Sequence, residues 1–118
     1  MSRYILIYTT TSDKEGAEKI AQILLEKRLV ACANIFPISS RYWWQGKIEQ
    51  ADECGMLLKT RKELYQKVEK EIKRLHSYTI PAIICWNIEK GSKEFLEWIK
   101  KETKSRRERK KIRRLGRI

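Results

Sequence analysis

The chain has 118 residues and a mass of 14.1 kDa, the size of one ordinary domain. Apolar residues make up 42%, which supplies a core and excludes a chain disordered throughout. Lys plus Arg exceeds Asp plus Glu by 27 to 15, a formal charge of +12, and no apolar run approaches the roughly 20 residues of a membrane span. The opening residues 1–8 alternate too regularly for a secretory signal, so a cytoplasmic protein is expected.

In chain order, residues 3–10 alternate with apolar side chains on both faces, which predicts a strand. Ser12-Asp13-Lys14-Glu15 fits a capping box, with the Ser hydroxyl as cap and Glu15 reaching back. Ala17, Ile20, Ala21, Leu24 and Leu25 then recur at helical spacing. A second strand runs from Val30 past Pro37. Its hairpin turn is placed at Gln50-Ala51-Asp52 in preference to Gln45-Gly46, because Lys47-Ile48-Glu49 still alternates. A third strand covers residues 54–59, and Thr60-Arg61-Lys62-Glu63 reads as a second capping box. Leu64, Tyr65, Val68, Ile72 and Leu75 mark the next helix, residues 82–89 the fourth strand, and Phe95, Leu96, Trp98 and Ile99 a last helix opened by Gly91-Ser92.

The order is β-α-β-β-α-β plus a terminal helix. This is the α+β, ferredoxin-like pattern, with both helices on one face of a four-stranded antiparallel sheet. Residues 1–103 form the domain, and residues 104–118 a basic C-terminal tail. Trp43 and Trp44 are adjacent and point to opposite faces, so one of them needs cover from outside the protomer. The odd set Cys32, Cys54 and Cys85, each in an apolar stretch, reads as buried small hydrophobes in a reducing compartment.

No nucleotide-binding glycine motif, nucleophile elbow or metalloprotease motif occurs. The loop after the first strand, Thr9-Thr10-Thr11-Ser12-Asp13, lacks the glycines and arginine of an acylphosphatase cradle. The third strand, Cys54-Gly55-Met56-Leu57-Leu58-Lys59, lacks the stacking aromatics of an RNA-recognition sheet.

Five segments stand out: Leu29-Val30-Ala31-Cys32-Ala33-Asn34, Tyr42-Trp43-Trp44-Gln45-Gly46-Lys47-Ile48-Glu49, Leu58-Lys59-Thr60, His76-Ser77-Tyr78-Thr79-Ile80-Pro81-Ala82 and Phe95-Leu96-Glu97-Trp98-Ile99. In this order and spacing the chain resembles the CutA family, the divalent cation tolerance proteins, over residues 3 to about 103. The resemblance implies a homotrimer, similar to that of the PII signalling proteins, in which the hairpin of strands two and three extends onto the neighbour, and the high Lys, Arg and Glu content, which allows surface ion-pair networks, predicts a thermostable one. It implies tolerance of copper or another divalent cation, and no firm enzymatic activity.

The family's His-Pro-Tyr segment stands here as His76-Ser77-Tyr78, which makes His76 the metal candidate. The plain alternative for His76 is a helix C-cap. The resemblance also implies an intersubunit ligand pocket at Cys32, Tyr42, Trp44, Glu53 and Lys59, suited to a small anion or nucleotide-like effector. Alternation independently puts Tyr42 and Trp44 on one face.

Residues 104–118 hold nine Lys/Arg and one acid, Glu108. Arg106, Arg107, Arg109, Lys110, Lys111, Arg113 and Arg114 are candidate contacts to nucleic acid or another polyanion. The plain alternative is a solvated tail.

Overall fold

Period-two apolar stretches form the strands and three amphipathic segments form the helices in the computed structural model, which describes residues 3–104. The elements are β1 (Tyr4–Thr11), α1 (Lys14–Glu26), β2 (Cys32–Trp44), β3 (Lys47–Arg61), α2 (Tyr65–Leu75), β4 (Ile83–Asn87) and α3 (Lys93–Glu102). A single 3₁₀ turn, Lys62–Leu64, leads into α2. The sheet order is β2-β3-β1-β4 and every neighbouring pair is antiparallel, as the α+β ferredoxin-like expectation requires. The tail residues Arg106, Arg107, Arg109, Lys110, Lys111, Arg113 and Arg114 lie outside the described residues.

The two faces of the sheet differ. On one, Ile5, Ile7, Met56 and Leu58 are buried beneath Ala17, Ile20, Ala21 and Leu24 of α1 and Val68 and Ile72 of α2. Each fully buried aliphatic side chain there contributes about 1.5–3 kcal/mol relative to exposure. Register puts Leu6, Tyr8, Leu57, Ile84 and Trp86 on the other face. There Tyr8 meets Trp86 edge-on at 6.4 Å. Neither α1 nor α2 reaches this side, and Ile84 and Trp86 stay 52% and 50% exposed.

The hairpin is longer than the sheet beneath it. The last β1–β3 pair is Thr11 with Cys54, whereas β2 and β3 continue pairing to Trp44 with Lys47. The turn is Gln45-Gly46, not the expected Gln50-Ala51-Asp52. Both turn residues are left-handed, with φ of 50° and 80°. A two-residue turn of that kind matches strand twist. Lys47-Ile48-Glu49 alternates because it opens β3, and alternation alone does not tell one strand from its return.

Both expected capping boxes are replaced. Asp13, not Ser12, caps α1, its carboxylate accepting from Gly16 N at 2.7 Å. Thr60 is still in β3, where its hydroxyl donates to the Leu29 carbonyl at 2.7 Å, and α2 has no side-chain cap. Ser92 does cap α3. The cysteines also depart from expectation, because only Cys54 is buried, while Cys32 is partly exposed and Cys85 exposed. Cys85 lies on the short edge strand β4, which no element covers on its outer side.

Two arginines fasten α3. Arg28, itself left-handed at φ 59°, donates to the Glu102 carboxylate at 2.8 Å. Arg61 donates to the Thr103 hydroxyl and carbonyl at 2.9 and 2.8 Å and also pairs with Glu63 at 2.8 Å.

Glu71 accepts from Arg74 and, at 2.8 Å, from Lys27, so it joins α2 to the end of α1. Arg74 first, then Lys27, lower its carboxyl from 4.5 to about 2. Because the folded value is the lower one, the stabilisation is present above the unfolded value and lost as pH falls from 4.5 towards about 2. Chemical denaturation against pH is expected to show Glu71→Gln less stable than the parent at neutral pH, with the gap closing across that window.

Candidate functional site

α2 stops at His76, whose backbone is extended at ψ 142° while its N–H still donates to the Ile72 carbonyl at 2.8 Å. The imidazole then turns back onto the sheet. Its Nε2 lies 2.6 Å from the Thr10 carbonyl, and its Nδ1 accepts from the Tyr78 amide at 3.0 Å. A carbonyl only accepts and an amide N–H only donates, so Nε2 carries the proton and Nδ1 is bare. The ring of Tyr78 packs beside the imidazole at 4.8 Å. Its hydroxyl donates to Glu53 Oε2 at 2.5 Å. Burial first, then the Glu53 carboxylate, pushes the Tyr78 phenol far above its ordinary range, so it remains a donor.

This relay from Thr10 through His76 and Tyr78 to Glu53 fixes residues 77–82 beneath the overhanging hairpin. Between them is a groove of about 950 Å³. Ser39–Trp44 form one wall, residues 77–80 and Ala82 the other, with Thr10 and Glu53 at the base. Tyr42 and Trp44, each 40% exposed, share the groove with Glu53. Thr10, Arg41, Thr79 and Ile80 belong to it too and were not singled out in the sequence. No short spacing signals them, because the contact between Thr10 and His76 spans 66 residues.

Cys32 and Lys59 are elsewhere. They are register partners, with Lys59 Nζ 3.9 Å from Cys32 Sγ and 2.8 Å from Asn34 Oδ1. The same ammonium lies 5.6 Å above the Phe95 ring, which itself stacks on Trp98. Lys59 and Glu53 share a face of β3 but stand about 20 Å apart along it. Within one chain the expected pocket is therefore two patches, a groove with Tyr42, Trp44 and Glu53, and a cationic patch with Cys32 and Lys59.

A divalent transition metal asks for several N, O or S donors. His76 has both ring nitrogens engaged, and among the described residues no three His, Cys, Asp or Glu side chains converge. The described residues of a single copy thus do not fit a metal centre.

A family model described as CutA1 divalent ion tolerance protein matches residues 5–102. The chain belongs to the CutA1 family. A divalent-cation tolerance protein CutA from Archaeoglobus fulgidus is 56% identical over 93 residues, covering 79% of this chain and 91% of the relative. One from Pyrococcus horikoshii is 45% identical over 100 residues, covering 85% and 98%. The solved Archaeoglobus fulgidus CutA, described as periplasmic, superposes with a TM-score of 0.85 at 51% identity and covers 86% of this chain and 99% of its own. CutA from Xylella fastidiosa reaches the same TM-score of 0.85 at 36% identity, covering 87% and 100%. Among the described residues no helix is long and apolar enough to cross a membrane.

Removing the Tyr78 hydroxyl from this CutA chain leaves Glu53, only 8% exposed, without that donor. Tyr78→Phe is expected to cost about 1–3 kcal/mol in chemical denaturation. It is also expected to remove the latest-ionising phenol from an alkaline absorbance titration. The neutral phenol is favoured by the fold, so its stabilisation is present below pH 10 and lost as pH rises beyond it.

Proposed function

We propose that the chain is a non-catalytic homotrimeric binding protein of divalent-cation tolerance, working in the cytoplasm, and that copper or another divalent cation is held between copies. The observation that carries this reading is the apolar sheet face on which Ile84 and Trp86 are half exposed, together with a hairpin arm that, on its opposite face, exposes 72% of Trp43 and 63% of Ile48. A two-stranded arm alone in water is marginally stable, and a large apolar face on a small chain marks an interface. β2 adds an unpaired outer edge along its 13 residues, ready to accept another strand. The three free cysteines accord with a reducing compartment.

Assembly also supplies what one copy lacks. The groove with Tyr42, Trp44 and Glu53 is closed by the Cys32–Lys59 patch of a neighbour, which rejoins the two halves of the intersubunit pocket. His76 serves as a metal donor in such an assembly only by surrendering its bond to Thr10 or to Tyr78.

The aromatic wall of the groove, with Arg41 beside it, favours a second reading. In it the trimer is a PII-like sensor or scaffold that takes a small anionic ligand in that pocket.

Light scattering is expected to give about three chain masses, and the double variant Ile84→Glu/Trp86→Glu to lower it. An unchanged mass in a folded double variant would remove this face from the interface. Calorimetric titration with Cu²⁺ decides the metal role. Saturable binding lost in His76→Ala makes the imidazole a ligand, and saturable binding kept in it moves the ligand set elsewhere between copies. Absence of saturable binding leaves the sensor reading.

A further inference from the structure

The outer face of α2 carries a charge surplus that the fold does not use. Residues 62–75 contain five cations, Lys62, Lys67, Lys70, Lys73 and Arg74, and three acids, Glu63, Glu69 and Glu71. Every one of those acids is engaged. Glu63 pairs with Arg61, Glu69 with Lys73, and Glu71 with Lys27 and Arg74. Among the described residues Lys62, Lys67 and Lys70 have no ion-pair partner, and all three are exposed. Lys67, Lys70 and Arg74 follow at i, i+3 and i+7, so they form one stripe about 10 Å long. α1, packed beside α2, shows no such surplus, with Lys14 and Lys19 against Glu15, Glu18 and Glu26.

The N-terminal end of the same segment also meets the end of α3. Arg61 Nη1 holds Glu63 at the start of α2, and Nη2 of the same guanidinium holds the Thr103 carbonyl at 2.8 Å. The start of α2 and the end of α3 therefore meet at one guanidinium. On the sheet's other side are the bare face and its exposed aromatics, so assembly through that face leaves α2 on the outside.

We propose that the outer face of α2, centred on Lys62, Lys67 and Lys70, is a docking surface for the phosphate backbone of a nucleic-acid duplex. The surface is polar throughout. Its exposed neighbours are Gln66 and Glu63, while Val68 and Ile72 are buried inward. A membrane-surface helix needs an exposed apolar flank, and α2 has none to insert. Phosphate contacts of this kind bind without base preference and weaken steeply with salt.

Fluorescence anisotropy with a labelled mixed-sequence DNA duplex tests the surface, between about 50 and about 200 mM salt. The full chain is expected to bind, with log K falling linearly against log salt. Lys62→Gln/Lys67→Gln/Lys70→Gln is expected to flatten that slope by about 2–3, at about 0.9 per lost phosphate contact. The control Lys14→Gln/Lys19→Gln on α1 is expected to leave the slope in place. These are exposed positions, where substitution leaves folding within about 0.5 kcal/mol. Absence of binding at low salt overturns the proposal. So does an unchanged slope in the triple variant, which would leave the tail acting alone. Tighter binding to vesicles of phosphatidylserine than to duplex would overturn it in favour of a membrane.

Discussion

Two helices reach across one face of four strands, and among the described residues the other face is covered at one end only. Almost everything else in this molecule follows from that inequality. The helix-side residues Ile5, Ile7, Met56 and Leu58 are sealed beneath α1 and α2. The opposite side presents Tyr8, Ile84 and Trp86, and the hairpin runs on beyond the end of β1 with both its faces exposed. A short helix, α3, covers only one end of that side, fastened there by Arg28 and Arg61.

The same constraint shapes the groove. An arm that overhangs its sheet makes a recess, but a recess needs a second wall. His76 supplies it by holding residues 77–82 in place, and it does so because it is neutral and used at both nitrogens. The imidazole is thus a strut between β1 and the loop before β4. Its value as a strut and its value as a metal donor compete for the same lone pair. That competition sets the terms on which a cation-tolerance protein of this sequence can handle a cation.

Much of the fold was legible because its signals are local. The apolar run within residues 3–10 reports a strand, and the 3.6-residue recurrence of Ala17, Ile20, Ala21 and Leu24 reports a helix with one buried face. The hairpin turn was misplaced for a physical reason. The two-residue turn pairs Trp44 with Lys47, so the alternation reverses phase there, but Lys47-Ile48-Glu49 alternates on either assignment and does not show the shift. The caps were misread because serine, threonine and aspartate all offer an oxygen, and only the backbone path decides which is used. Of the site, Tyr42 and Trp44 were readable from period two. Thr10, His76, Tyr78 and Glu53 were not readable as a group, since three separate elements bring them together and no spacing in the chain encodes their meeting.

The left-handed Gln45-Gly46 turn has one more consequence, for the way this family can change its length. A two-residue loop leaves no slack to absorb a third residue. One inserted residue between Gly46 and the middle of the arm would slide β3 by a single place, and every side chain beyond it would exchange sides. Glu53 would then leave the groove for the helix face, and Cys54 would leave the core. Insertions of two would keep each side chain on its own side and merely lengthen the arm. Change in this hairpin is therefore expected in steps of two residues, with odd steps tolerated only where a bulge restores the parity.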